Sequence, residues 1–218
     1  PILIVALVVG LALFFDFTNG FHDTANSSAT AIATGALKPK TAVLIAAIMN
    51  FVGAFLSTAV AKAISVSLIN EGIDIGPELV FAGLTGAILW NLTTWLLGLP
   101  SSSSHALFGG LVGAALAFAG VAAINFPAVL EKVVFPALFA PVIAGLAAFL
   151  ATRIAYLMTA RSQASRKATG IGTGRSNFKV GQVFTSSLVA LSHGTNDAQK
   201  TMGVITLVLV AAGIQSSG

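Results

Sequence analysis

The chain has 218 residues, 56% of them hydrophobic and only 8% charged, and its mean hydropathy is +0.94. A soluble domain carries about 25% charged residues, so water is not the main solvent here; at about 20 residues per span, roughly five to seven crossings fill the length and exclude a large soluble domain. The formal charge of +4 and the pI near 9.8 do not point to nucleic acid, because six of the eleven Lys and Arg residues lie between Arg153 and Lys179, and the lack of cysteine excludes disulfides and thiolate chemistry.

Residues 1–15 form an unbroken apolar run that opens on Pro1 without a charged n-region or a small-residue cleavage site. It reads as a fragment end rather than a signal peptide. The run meets Asp16 and then the breaker-rich stretch Thr18-Asn19-Gly20-Phe21-His22-Asp23, and residues 25–35 are small and weakly polar. This pattern predicts a helix broken at membrane depth. Residues 41–69, 77–99 and 133–158 are each long enough to span, with Lys62, Pro136 and Pro141 as tolerated interruptions. Residues 106–120 are shorter and rich in Gly and Ala, which fits a span, a half-helix or one arm of a re-entrant hairpin. Residues 180–210 resume apolar character around a second polar knot, Ser192 to Thr201. Trp90 and Trp95, in one predicted span, read as packing or interfacial anchors.

Loop charge sets the expected orientation, since Lys and Arg collect on the cytoplasmic side. The basic loop 159–179 is then inside, as is the short turn holding Lys38 and Lys40, while the loop 70–78 with Glu71, Asp74 and Glu78 is outside. Five crossings precede residue 180 on this count. The last run therefore enters the membrane from the side opposite to the first.

The two polar knots align with one another. Setting Gly20 on Gly194 sets Asp23 on Asp197, and Ser27 and Ser28 follow the first as Thr201 follows the second. With the odd crossing count this is the pattern of inverted repeats, whose broken helices meet near the midplane and form the substrate and ion site. The plainer reading is a kink with one buried carboxylate, yet a charge at the bilayer centre costs at least about 2.5–3.5 kcal/mol, and here that cost recurs in matching positions. Asp23 and Asp197, with Asn26 and Asn196, offer the hard oxygens that sodium prefers, although the same carboxylates could carry protons. Asp16 either binds a cation or caps the broken helix. Pro100 to His105, P-S-S-S-S-H, precedes an apolar Gly-rich run, so Ser101 to Ser104 add hydroxyls to a helix N-terminus and offer an anion cradle or an ordinary cap.

Three stretches carry a family resemblance: D-F-T-N-G-F-H-D-T-A-N-S from Asp16, P-S-S-S-S-H-A-L-F-G from Pro100, and S-H-G-T-N-D-A-Q-K-T-M-G from Ser192. They resemble the signatures of the PiT inorganic phosphate transporters. The family's Gly-x-Asn-Asp-x-x-Asn pattern is matched by Gly20, Asp23 and Asn26 and by Gly194, Asn196 and Asp197, with His22 in place of the first Asn and Lys200 in place of the last. The resemblance implies a phosphate carrier coupled to sodium ions or protons by alternating access, with Ser102, Ser103, Ser104, Thr24, Ser27, Thr195, Gln199 and Thr201 as phosphate contacts. It also implies a second Ser/Thr hairpin beyond the second knot, which the sequence does not reach by Gly218. A fragment, or a partner completing the site, is expected on that ground. Coupling makes physical sense, because moving a divalent anion inward against about 100 mV costs roughly 4.6 kcal/mol.

The predicted fold is all-α: a polytopic transmembrane bundle with inverted repeats, broken helices and, as one alternative, a re-entrant hairpin. Residues 1–158 form the first repeat, 159–179 the cytoplasmic loop and 180–218 the start of the second repeat. Expected partners are inorganic phosphate, sodium or protons, the lipid bilayer and, as an open alternative, further copies of the chain; nucleic acid, a cofactor and a transition-metal site are not expected. A bacterial or archaeal plasma membrane is the expected location. Three rivals differ in their requirements. A carrier of sulfate or another tetrahedral oxyanion needs the same groups, an intramembrane hydrolase needs a Ser-His-Asp arrangement, and a passive anion channel needs cationic rings.

Overall fold

A computed structural model describes residues 2–56, 68–70, 75–169 and 175–215, without the side chains of residues 21, 22, 161–169 and 175–177. The parts of the predicted span 41–69 and of the loops 70–78 and 159–179 that fall between these ranges lie outside the described residues. The helices are α1 (Ile2–Ala33), α2 (Pro39–Ala54), α3 (Pro77–Leu96), α4 (Ser103–Ala119), a short α5 (Phe126–Val129) that runs through a π-helical turn (Leu130–Val134) into α6 (Phe135–Thr169), and α7 (Arg175–Ala211). Beyond one antiparallel bridge between Ile69 and Ile124, no strand occurs among the described residues.

Local chemistry sets the helix ends. Gly35 adopts a left-handed φ of 66° that stops α1 and lets Ala36 and Leu37 donate back to the Ala31 carbonyl, and Pro39 then opens α2 with its φ already fixed. Ser102 caps α4 by accepting from the His105 N–H. Among the described residues, Ile2–Ala33, Pro77–Leu96 and Phe126–Ala160 are long and apolar enough to cross a membrane, with α2 and α4 shorter apolar helices. The protein is integral to a membrane. Every residue from Phe135 to Met158 is exposed, and its Leu, Phe, Ile and Val side chains present the surface that lipid would solvate.

Two expectations are corrected here. The predicted breaks in the first and last helices are absent: α1 continues through Asp16 to Asp23 and α7 through Ser192 to Thr201. The helices stay continuous through their packing, and their hydroxyls are accommodated within them: Thr18 donates to the Phe15 carbonyl at 2.8 Å, Ser28 to that of Thr24 at 2.7 Å, Thr24 to that of Gly20 and Thr195 to that of Ser192 at 2.7 Å. Satisfied on their own helix, these groups sit in an apolar setting without unwinding it. The basic segment 159–179 is likewise not a plain loop, because α6 runs to Thr169 and α7 starts at Arg175.

Pairings across the bundle fix its directions. Asn19 bonds to Asp197 and Thr30 to Gln182, so α1 and α7 are antiparallel with the two knots at one level. The core joins Val5, Val8, Ala12 and Phe15 of α1 to Val80, Leu84 and Ala87 of α3, Leu107 and Leu111 of α4, and Val204, Leu207 and Val208 of α7. Glycines bring backbones together at two contacts, as small residues do in membranes. A Cβ on Gly110 would collide with the Gly83 carbonyl of α3, and one on Gly194 with the Asn50 backbone of α2. Gly20, the partner of Gly194 in the repeat, has open space instead. Gly194→Ala should therefore lower stability by about 1–3 kcal/mol while Gly20→Ala does not. Thermal melting followed by size-exclusion chromatography checks this, and equal melting of the two variants would refute the close α2/α7 approach.

Candidate functional site

Three helices enclose a cavity of about 400 Å³ at the level of the knots. Helix α1 contributes Asp16, Asn19, Gly20, Asp23 and Thr24; α7 contributes His193, Gly194, Asp197 and Ala198; α2 closes the third side with Ala46, Ala47, Asn50 and Phe51. Residues four apart lie on one helix face, which is why Asp16, Gly20 and Thr24 of α1, and His193 and Asp197 of α7, line it together.

Asp197 has a partner on each oxygen. Its Oδ1 takes the Lys200 ammonium at 2.7 Å and its Oδ2 takes the Asn19 amide at 3.2 Å. Lys200 is 4% exposed and also reaches the Ser103 hydroxyl at 3.4 Å, across from α7 to the first turn of α4. In the first knot Asn26, the counterpart of Lys200, donates to Asp23 Oδ1 at 3.3 Å. Asp16 faces Thr201 across the α1/α7 contact, with Asp197 and Lys200 in electrostatic reach. Asn19 Oδ1 and His193 Nε2 are buried and have no hydrogen-bond partner among the described residues.

The structure thus gathers Asp16, Asp23 and Asp197 on one cavity, with Thr24 beside them and Asn26 bound to Asp23. Asn196 is exposed. The hydroxyls expected for phosphate are divided. Ser103 is buried beside Lys200, whereas Ser102 lines a separate cavity of about 630 Å³ with Trp90, Pro100, Ser101 and His105. Ser104 is half-buried, Gln199 and Thr201 are buried on α7, and Ser27 and Thr195 spend their hydroxyls on their own helices at 3.1 and 2.7 Å. Ser102 Oγ does sit 2.9 Å from His105 Nδ1, but this is the capping geometry of residues three apart, and no described carboxylate lines that cavity. A hydrolytic triad has no third member there.

Sequence reasoning passed over Asn19 and Asn50. Asn19 was findable, because the repeat alignment sets it on His193, one residue before each glycine, and both line the cavity. Asn50 carries no such signal: it bonds to the Ala46 carbonyl at 2.9 Å within an otherwise apolar helix.

Comparison with known proteins bears on this arrangement. A family model described as "Phosphate transporter family" matches residues 19–172. A "Probable low-affinity inorganic phosphate transporter" of Mycobacterium bovis is 51% identical over 97% of this chain and 49% of its own length, and one of Streptomyces halstedii is 44% identical over 88% of this chain and 86% of its own. The chain spans about half the length of the mycobacterial relatives it matches. Among solved structures, "The sodium-dependent phosphate transporter" superposes with a TM-score of 0.77 at 23% identity, over 96% of this chain and 68% of the other, a likeness of fold.

Proposed function

Because the chain belongs to the PiT phosphate transporter family, we propose that it carries inorganic phosphate across a bacterial plasma membrane, coupled to cations bound between α1, α2 and α7. One observation carries the reading: Asp23 and Asp197, from matching motifs on antiparallel helices, face the same cavity. Two carboxylates and the free Asn19 carbonyl oxygen are the ligands a hard monovalent cation takes. Bound cations offset the roughly 4.6 kcal/mol that a divalent anion meets at about 100 mV. The sodium dependence named for the structural neighbour favours sodium as the coupling ion. We read α1 and α7 as the opening helices of two inverted halves, which rock about the cavity to give alternating access.

Uptake of labelled phosphate by the full-length protein in proteoliposomes, under imposed sodium or proton gradients, tests the reading. Phosphate should accumulate along one of these gradients and be competed by arsenate. Equal competition by sulfate would widen the cargo to tetrahedral oxyanions, and absence of gradient-driven uptake would sink the carrier.

The anion is expected at the Ser103 end of α4, where a hydroxyl, the helix N-terminus and the Lys200 ammonium converge. Ser103→Ala should therefore weaken phosphate binding at least about tenfold, the loss of one charge-assisted hydrogen bond, and Ser102→Ala much less. Equilibrium binding to the purified protein checks the order, and a larger loss for Ser102→Ala would move the anion to the second cavity. For orientation, 159–179 should face the cytoplasm and 70–78 the exterior. These 218 residues contain no cysteine, so Ser162→Cys and Gly72→Cys serve as reporters, and labelling of both from one side by an impermeant reagent would overturn this arrangement.

A further inference from the structure

The two knots align residue for residue, yet their carboxylates are partnered differently. In the first, the residue three positions after Asp23 is Asn26, whose neutral amide donates to Asp23 Oδ1 at 3.3 Å. In the second, the same position holds Lys200, whose ammonium lies on Asp197 at 2.7 Å. The i+3 position thus carries an amide in one motif and a cation that belongs to the protein in the other.

We propose, resting on the phosphate-carrier reading, that Lys200 is an exchangeable internal counter-ion: a coupling cation that takes Asp197 releases the Lys200 ammonium to phosphate bound beside Ser103. Placement carries the argument. The ammonium is 4% exposed, and its hydrogen-bond partners among the described residues are Asp197 Oδ1 on its own helix and Ser103 Oγ at 3.4 Å on α4, with Asp16 in electrostatic reach. A buried charge stripped of its partner is strongly unfavourable. A cation neutralising Asp197 therefore strands the ammonium unless an anion arrives, and an anion at Ser103 draws the ammonium from Asp197 unless a cation arrives. Each ligand binds better with the other present, which is reciprocal coupling without any large movement. The ammonium already touches both sites.

The surrounding groups fit this exchange. Asp197 keeps its second oxygen toward Asn19 and the cavity, so a cation can approach from the side away from Lys200. Among the described residues, the other ionisable groups on the site are Asp16 and Asp23 of α1 and His193 of α7, and the residues of α2 that line the cavity are uncharged. Within the shared cation site Asp23 is the standing ligand and Asp197 the conditional one.

The test measures phosphate affinity of the full-length protein across sodium concentrations at fixed pH, and across pH at fixed sodium, for wild type, Lys200→Met and Lys200→Arg. Wild type should bind phosphate more tightly as the coupling cation rises. Lys200→Met should bind phosphate at least about tenfold more weakly at saturating cation, lose most of that cation dependence, and bind the cation more tightly when phosphate is absent. Lys200→Arg should retain the dependence in part. Weaker phosphate binding with full cation dependence would make Lys200 a fixed anion contact and overturn the exchange, as would unchanged phosphate affinity. If Lys200→Met does not fold, Asp197→Asn/Lys200→Met removes both charges and should show the same two losses; wild-type behaviour of that pair overturns the proposal. A wild-type protein that binds no phosphate in either cation removes the carrier reading itself, and with it this one.

Discussion

Asp197→Asn is expected to abolish gradient-driven phosphate uptake and also to lower stability by about 3–5 kcal/mol, because it leaves the buried Lys200 ammonium without its counter-charge. The neutral amide still fits the space and still meets Asn19, so the loss is one of charge rather than of shape. Removing both charges separates the two effects. Asp197→Asn/Lys200→Met should melt close to wild type, since replacing a buried ion pair by uncharged residues is often neutral or stabilising, yet its uptake should stay abolished. Melting temperatures and uptake measured on the same preparations check both halves. An Asp197→Asn variant that melts like wild type would mean that the pair at 2.7 Å contributes nothing to the fold.

Asp23→Asn should behave differently. This carboxylate carries no ammonium at the i+3 position, where Asn26 donates at 3.3 Å, and the side chain is only half-buried at the cavity wall. Stability should change by no more than about 0.5 kcal/mol, whereas cation affinity should fall on the order of 100-fold, about 2.7 kcal/mol for a lost charged ligand. If the coupling ion is sodium, raising sodium should restore part of the uptake. If it is the proton, sodium restores nothing and the pH profile flattens. A variant that is lost to misfolding would instead make Asp23 a structural group.

These contrasts show how far the sequence reaches. The all-helical fold was legible because apolar runs and their Gly and Pro boundaries, such as Gly35-to-Pro39 and Gly98-to-Pro100, are signals that local chemistry obeys. The helix breaks were misjudged because glycine and Asx residues weaken an isolated helix, by about 1 kcal/mol per glycine, whereas the packed helix recovers this through neighbours. Gly194 reads as a breaker by propensity, and its actual use is to let α7 touch the backbone of α2. The acids of the site were legible, since an ionisable group at membrane depth is costly and the two motifs repeat it. The anion side was not resolved, because consecutive helical residues point about 100° apart and a run of serines carries no mark of which one turns inward. Only the fold puts Ser103 on Lys200 and Ser102 in the other cavity.

Whether Asp23 and Asp197 act as one unit is tested most directly by driving phosphate uptake with imposed sodium and proton gradients in wild type, Asp23→Asn, Asp197→Asn and the double variant. Groups that serve one coupled step are non-additive, so each single substitution should lower gradient-driven uptake as far as the double one does. Losses that multiply in the double variant, or normal gradient-driven uptake in both single variants, would contradict a shared cation site between α1 and α7.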